Sequence, residues 1–514
     1  MQSIQKVKKD SFKISGVKNI AISGVVAALS FYSLMLVAKR FGGSVGSDAY
    51  FFLLSITTLA AGLISSLFAT VFLPVFIELK TRAGITEASE FAGSVLTWCL
   101  IIISPLSIAA YLSYEAFYAL VSKFSHAQVV DVKFVLIYFA PIFVISVLSE
   151  FFRTLVLALG QYTFAAIGAV FQPAFLLIFL QFFSSQLKEE SLALSLLIAK
   201  LSVLVLMLIV VVIKEDMKIP IQLKRNPASL RFVKVSAPYW AANLITNFAT
   251  FYFDYLATGL GAGVLTAISY AQRIFTLPTI LILNPILEIA RTKFSESQAL
   301  NDSQTFLLHY GRLLQFSLYF SIPIATFFFF FPEQIISSLF HRGAFSEDSV
   351  SIASSCLRIF ALSIPLTSLF MVNGRACESF QRLKWISFFG SIGNFLLILS
   401  TFIFVKKMGY VGIPMARLTI DLLYFLPFGF LAFRLFSGRL DLIYIWKDGF
   451  TAIMASLLPI VAFNYLGFSL WFRELDPSLY FLAMFASSFI VSYAVLLVVF
   501  DSRILKYLFN MFVK

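Results

Sequence analysis

The chain has 514 residues, 60% of them hydrophobic and only 13% charged, with a mean hydropathy of +0.91; soluble domains carry about 25% charged residues. Outside the apolar runs the longest polar stretch is residues 214–236, too short for a soluble domain, which excludes a soluble enzyme held on an anchor. The formal net charge of +13 is spread through short loops, not gathered into the basic, aromatic-interleaved surface that nucleic acid requires.

Lys6, Lys8, Lys9, Lys13 and Lys18 precede the first apolar run. They resemble the basic region of a signal peptide, but no small-residue cleavage motif follows, so the run is expected to be kept as the first span. Apolar runs then recur at the roughly 20 residues that a bilayer core demands. They fall at about 19–38, 51–77, 92–113, 134–157, 163–183, 192–213, 237–259, 264–289, 313–331, 351–374, 385–405, 410–433, 449–470 and 479–500. Pro141, Pro173, Pro278, Pro365 and Pro414 punctuate them, which membrane helices tolerate where neighbours re-satisfy the freed backbone groups. The expected fold is an all-α polytopic membrane protein with about 14 transmembrane helices.

An even number of spans puts both termini on one side. With the N-terminus in the cytoplasm, 26 of the 39 Lys and Arg lie in cytoplasmic loops and 9 in external loops, leaving Lys200, Arg273, Arg358 and Arg417 within spans. That bias follows the positive-inside rule and predicts cytoplasmic termini.

Two stretches repeat. Ala38-Lys-Arg-Phe41-Gly42-Gly43-Ser44-Val45 follows the first run, and Ala257-Thr-Gly-Leu260-Gly261-Ala262-Gly263-Val264 follows the seventh. Gln161, Gly168 and Gln172 at the start of the fifth run match Gln381, Gly390 and Asn394 at the start of the eleventh. Six spans separate the members of each pair, so the copies are expected to be parallel repeats, as in two-lobed transporters. The expected organisation is an N-lobe over 1–213, a cytoplasmic linker at 214–236, a C-lobe over 237–433 and a terminal helix pair over 434–514. Gly42 and Gly261 are expected to allow tight turns at the external helix ends.

Ionisable groups within spans are costly and mark functional sites. Arg273 lies in Ser269-Tyr-Ala-Gln-Arg-Ile-Phe-Thr-Leu-Pro278, and its guanidinium fork suits phosphate oxygens. Asp254 in the preceding span is either a second cavity charge or a structural partner of Arg273. Lys200 and Arg358 are further candidates for lining a cavity. Arg417 and Asp421, at i,i+4, suit a pair on one helix face. Glu150 with Arg153, and Arg375 with Glu378, sit at equivalent places in the two lobes and read as interfacial pairs or gates. The run Phe327–Phe331 is expected to face lipid. Cys99, Cys356 and Cys377 have no paired spacing and read as packing residues. His126, His309 and His341 are scattered, so neither metal nor cofactor is expected, and no nucleophile–base arrangement points to an enzyme.

Phe41-Gly-Gly-Ser-Val-Gly-Ser-Asp48-Ala-Tyr-Phe resembles the segment after the first helix of the MurJ/MviN family. Asp254-Tyr-Leu-Ala-Thr-Gly-Leu-Gly-Ala-Gly-Val, with Ser269-Tyr-Ala-Gln-Arg273-Ile and Pro278, resembles that family's helix 7–8 segment. Arg342-Gly-Ala-Phe345 with the following Ser-Glu-Asp resembles its element before helix 10. The resemblance implies a bacterial inner-membrane flippase that moves a lipid-linked saccharide, a polyprenyl pyrophosphate bearing a sugar head, by alternating access. It implies Asp48 and Arg273 as site residues, the lipid bilayer as environment, envelope polysaccharide synthesis proteins as partners, and a monomer. Where the family places cavity arginines in helices 1 and 2, gapless alignment on Asp48 gives Ala28, Ser33 or Leu34, and Ala61; Gln272 and Thr292 also depart from its pattern. A precursor of peptidoglycan and another lipid-linked polysaccharide unit therefore both fit. The rival classes are a multidrug/cation antiporter of the same superfamily, for which the spans offer mainly Asp254 and Asp421 as coupling acids, and a non-transporting scaffold of an envelope-synthesis complex.

Overall fold

A computed structural model of the chain describes residues 2–113, 116, 120–125, 133–221, 227–300, 302–379, 383–435, 442–465 and 479–500. Within them every predicted apolar run falls on helix, and no strand occurs among the described residues. The helices are α1 (Gln2–Phe41), α2 (Val45–Leu67), α3 (Leu73–Arg82), α4 (Ile85–Leu112), α5 (Lys133–Ala158), α6 (Tyr162–Phe182) and α7 (Glu190–Ile209). They continue with α8 (Pro227–Ala257), α9 (Val264–Pro278), α10 (Asn284–Ala299), α11 (Ser303–Phe330), α12 (Pro332–Phe340) and α13 (Glu347–Ser379). The last four are α14 (Leu383–Met408), α15 (Gly412–Leu435), α16 (Leu442–Tyr465) and α17 (Leu479–Phe500). The protein is thus an all-helical, multi-pass membrane protein. Ten segments among the described residues are long and apolar enough to cross a bilayer, and one of these, Gly390–Tyr424, holds two helices, α14 and α15. The ten do not include α8, α16 or α17.

Two of the long spans are built from two helices joined by a wide π turn. Phe68–Phe72 joins α2 to α3, and Thr279–Leu283 joins α9 to α10. In both cases a proline follows as the second residue of the next helix, Pro74 and Pro285. A proline ring clashes with the carbonyl four residues back, and those residues, Thr70 and Leu281, lie inside the π turns. The widened turn accommodates that clash without ending the helix.

The chain divides into two compact units: Met1–Thr266 with Gly343–Phe345, and Ala267–Arg342 with Ser346–Lys514. In the first, α6 packs on α1 and α7, α5 on α2 and α7, and α8 on α2. Its core is aromatic. Phe72 stacks on Phe91 at 5.3 Å between ring centroids and meets Phe151 at 5.2 Å, while Phe68 meets Phe151 at 5.4 Å. In the second, α11 packs against α13 around Phe294, Phe306 and Tyr310, and against α16 around Leu318, Tyr319 and Ile322. At the start of α11, Asp302 caps the helix by accepting from the Thr305 hydroxyl (2.6 Å) and amide (3.0 Å), which holds its carboxyl below the usual carboxylate range. In the phenylalanine run, Phe327 is half-buried and packs against Phe489 of α17 at 5.5 Å, while Phe330 is exposed.

Candidate functional site

The most tightly built polar feature lies in the first unit, where three loop segments meet. Gly42 turns the chain after α1 with φ +57°, and a Cβ there would strike the Ala344 carbonyl. Gly343, at φ +66°, likewise leaves no room for a Cβ against the Lys39 carbonyl, which accepts the Ala344 amide at 3.0 Å. Ser44 then caps α2 by accepting the Ser47 amide at 3.1 Å. One residue later Asp48 is completely buried. Its carboxylate reaches the start of α9: Oδ2 accepts the Gly263 amide at 2.6 Å, and Oδ1 accepts the Thr266 amide at 2.7 Å and the Thr266 hydroxyl at 2.6 Å. Asp48 thus satisfies orphan amide donors at a helix N-terminus, where negative charge is favoured. Gly261, at the matching place in the similar segment 257–264, also has positive φ, +130°.

A second polar feature in this unit runs along α8. Asn243, Asn247, Thr250 and Asp254 recur at intervals of four, three and four residues, which places them on one helix face. Asn247 is close to α2 at Gly62, where its side-chain oxygen would lie 3.1 Å from an added Cβ. Asp254 is half-buried. The expectation from sequence counted only charges and so missed Asn243, Asn247 and Thr250; the helical spacing of uncharged polar residues was the signal.

The third feature is ionic. Arg153 donates to Glu150 at 2.8 Å on α5, and Lys200 on α7 lies within the electrostatic influence of both. The Ser149 hydroxyl donates to the Lys200 carbonyl at 3.1 Å, tying α5 to α7 at that level. Of the positions that align with the family's cavity arginines, Ser33 and Ala61 are buried and Ala28 is exposed.

In the second unit, Arg273 on α9 is exposed and forms no ion pair among the described residues; Arg358 on α13 is the same in both respects. Arg417 and Asp421 pair at 2.9 Å, and the Thr367 hydroxyl also donates to Asp421 at 3.3 Å. Arg375 pairs with Glu378 at 3.0 Å, and Arg291 approaches the same carboxylate at 3.8 Å. Sequence reasoning missed one buried acid. Asp448, at the edge of the thirteenth apolar run, accepts from Gln315 at 2.6 Å and from the Tyr319 hydroxyl at 3.2 Å, which fixes α16 to α11. Among the described residues no group of His, Cys, Asp or Glu is arranged to hold a metal ion.

The fold is shared with solved membrane transporters. A multidrug resistance MATE family transporter of the MOP superfamily, in an inward-facing conformation, superposes with a TM-score of 0.69 at 14% identity, covering 82% of this chain and 99% of that one. Lipid II flippase MurJ in an inward closed conformation superposes with a TM-score of 0.80 at 20% identity, covering 95% and 99%. The family model for lipid II flippase MurJ matches residues 37–490, and the chain belongs to that family. The lipid II flippase MurJ of Burkholderia cenocepacia is 24% identical over 396 residues, 74% of this chain and 76% of that protein. The probable lipid II flippase MurJ of Aquifex aeolicus is 28% identical over 258 residues, 46% of this chain and about half (49%) of that relative's length. The family is the one that the motifs around Asp48, Arg273 and Arg342 resemble.

Proposed function

We propose that the chain flips a polyprenyl-pyrophosphate-linked saccharide of the peptidoglycan-precursor class across the bacterial cytoplasmic membrane, by alternating access between two six-helix lobes, with both termini cytoplasmic. Membership of the lipid II flippase family over residues 37–490 carries this reading. The chemistry of the residues supports it. A pyrophosphate entering a membrane interior needs a fixed cation, and Arg273 is a cation within an apolar helix with no carboxylate taken up among the described residues. A saccharide head needs hydroxyl-binding groups, and the α8 face of Asn243, Asn247, Thr250 and Asp254 offers amides, a hydroxyl and a carboxylate at one level after another. Arg358 and Lys200 serve as further cations along the route. The clasp at Asp48 and the Arg375–Glu378–Arg291 group hold helix ends that must part or close during the cycle, and Arg417–Asp421 keeps its helix face in place.

The test is growth of a strain depleted of its own lipid II flippase. The wild-type chain is expected to restore growth, and Arg273→Ala at equal membrane level to lose at least tenfold in plating efficiency. Failure of the wild-type chain, at normal level and insertion, would refute the peptidoglycan-precursor assignment and leave another lipid-linked saccharide. A fully active Arg273→Ala would remove Arg273 from the site.

A further inference from the structure

The first unit holds a cavity of about 1650 Å³, walled by α2, α4, α5 and α8. It exceeds the roughly 300–1,000 Å³ of ordinary small-ligand pockets. Its wall is hydrocarbon and aromatic, including Ile56, Leu63, Ile102, Phe143 and Phe251, and among the described residues no charged side chain lines it. A pyrophosphate or a sugar head has nothing to bind there. An apolar cavity also stays dry, and left empty it forfeits the dispersion contacts of its lining atoms. In a bilayer the material at hand to fill it is a hydrocarbon chain.

Such a chain gains little by leaving one apolar medium for another, so selectivity has to come from its head. One end of the cavity supplies a cation. The wall passes through Leu120 and Val121 to Lys123, whose ammonium stands 5.4 Å from the centroid of the wall residue Tyr255. Lys123 is fixed there by its backbone. Its amide donates to the Thr258 hydroxyl at 2.9 Å, and Gly259 leaves room for its side-chain stem, since a Cβ on that glycine would come within 2.9 Å of it. Lys123 is exposed and forms no ion pair among the described residues. Leading down from it, Tyr255, Tyr252 and Phe248 stack along α8 at 5.8 and 5.9 Å, and Trp98 lies in the wall with them. Aromatic rings of this kind sit at the headgroup level of a bilayer. Among the described residues no carboxylate lines the cavity to receive an ammonium headgroup.

We propose that this cavity is a binding site for a bilayer phospholipid of net negative charge, with its chains among α2, α4, α5 and α8 and its phosphate at Lys123. The site is independent of the transported substrate proposed above. It has a built-in reporter, because Cys99 lines the cavity whereas Cys356 and Cys377 are buried.

The test uses the purified full-length chain in detergent. Phosphatidylglycerol is expected to slow alkylation of Cys99 by N-ethylmaleimide at least fivefold, read by peptide mass, and phosphatidylcholine at the same concentration to slow it less than twofold. In Lys123→Ala the phosphatidylglycerol effect is expected to vanish. Ala110→Phe, which fills the cavity from α4, is expected to cut phosphatidylglycerol retained in native mass spectrometry at least fivefold. The Cys99 readout on the wild-type chain stands if that variant does not fold. Equal protection by the two lipids would overturn the proposal, as would undiminished protection in Lys123→Ala. Protection by undecaprenyl phosphate at lower concentration than phosphatidylglycerol would also overturn it, by assigning the cavity to the carrier chain of the substrate.

Discussion

Asp48→Ala removes one acceptor group from three buried donors: the Gly263 amide, the Thr266 amide and the Thr266 hydroxyl. Hydrogen bonds to a charged group contribute about 1.5–3 kcal/mol each, and a buried donor left without a partner costs about 1–3 kcal/mol. The hydroxyl can rotate to a backbone carbonyl, so the two amides dominate, and the expected loss is about 3–5 kcal/mol. Asp48→Asn keeps the shape but turns an NH₂ group toward a backbone N–H, so it is expected to destabilise nearly as much as alanine. Thr266→Val removes the hydroxyl alone and is expected to lose about 1 kcal/mol. The assay is unfolding in mixed micelles of increasing dodecyl sulfate content, followed by tryptophan fluorescence. If Asp48→Ala and Asp48→Asn both unfold within 1 kcal/mol of the wild-type chain, the carboxylate is not holding α9, and the argument from its geometry fails.

Two further outcomes are expected. Gly263→Ala should destabilise by several times more than Gly409→Ala: both glycines have positive φ, +80° and +60°, but only at Gly263 would a Cβ strike a backbone atom, the Gly43 carbonyl, whereas nothing lies within 4 Å at Gly409. Comparable unfolding midpoints for the two variants would refute the close approach of the loops. Single cysteines placed within 214–236 should be protected from an impermeant thiol reagent in intact cells, and one at Glu474 labelled; the reverse pattern would invert the orientation drawn from the loop charges.

Most of the fold was legible because the bilayer imposes a severe rule: a span must be long, apolar and self-satisfied in its hydrogen bonds. Local pairs were legible for a similar reason. Arg417–Asp421 and Arg375–Glu378 form at the i,i+4 and i,i+3 spacings that helical geometry brings together. What escaped were contacts whose partners are far apart in sequence. Asp448 stands at the edge of an apolar run with no local partner to mark it, yet Gln315 and Tyr319, more than a hundred residues earlier, satisfy it inside the second unit. The apolar cavity behind Lys123 leaves no mark in sequence either, since its wall residues are those of any membrane helix.

We read the similar segments 38–45 and 257–264 as copies of one unit, and on that reading the Asp48 clasp reflects a difference between the two copies. Gapless alignment puts Ser44 opposite Gly263 and Ser47 opposite Thr266. In the first copy Ser44 caps its own helix by accepting the Ser47 amide. In the second copy the capping position is Gly263, which has no side chain to offer, and its backbone at φ +80° packs against Gly43 so closely that none would fit. The start of α9 is left with orphan amides in a buried place, a condition that costs as much as any lost hydrogen bond. Asp48 of the first copy supplies the missing acceptor to the Gly263 and Thr266 amides. Close loop approach and remote capping therefore depend on each other: a serine at 263 would cap the helix locally but hold the loops apart, and glycine brings them together only because a carboxylate from the other copy takes over the cap. That dependence ties the first turn of α2 to the beginning of α9, the helix that carries Arg273. Separating those two segments would break the hydrogen bonds from Gly263 and Thr266 to Asp48.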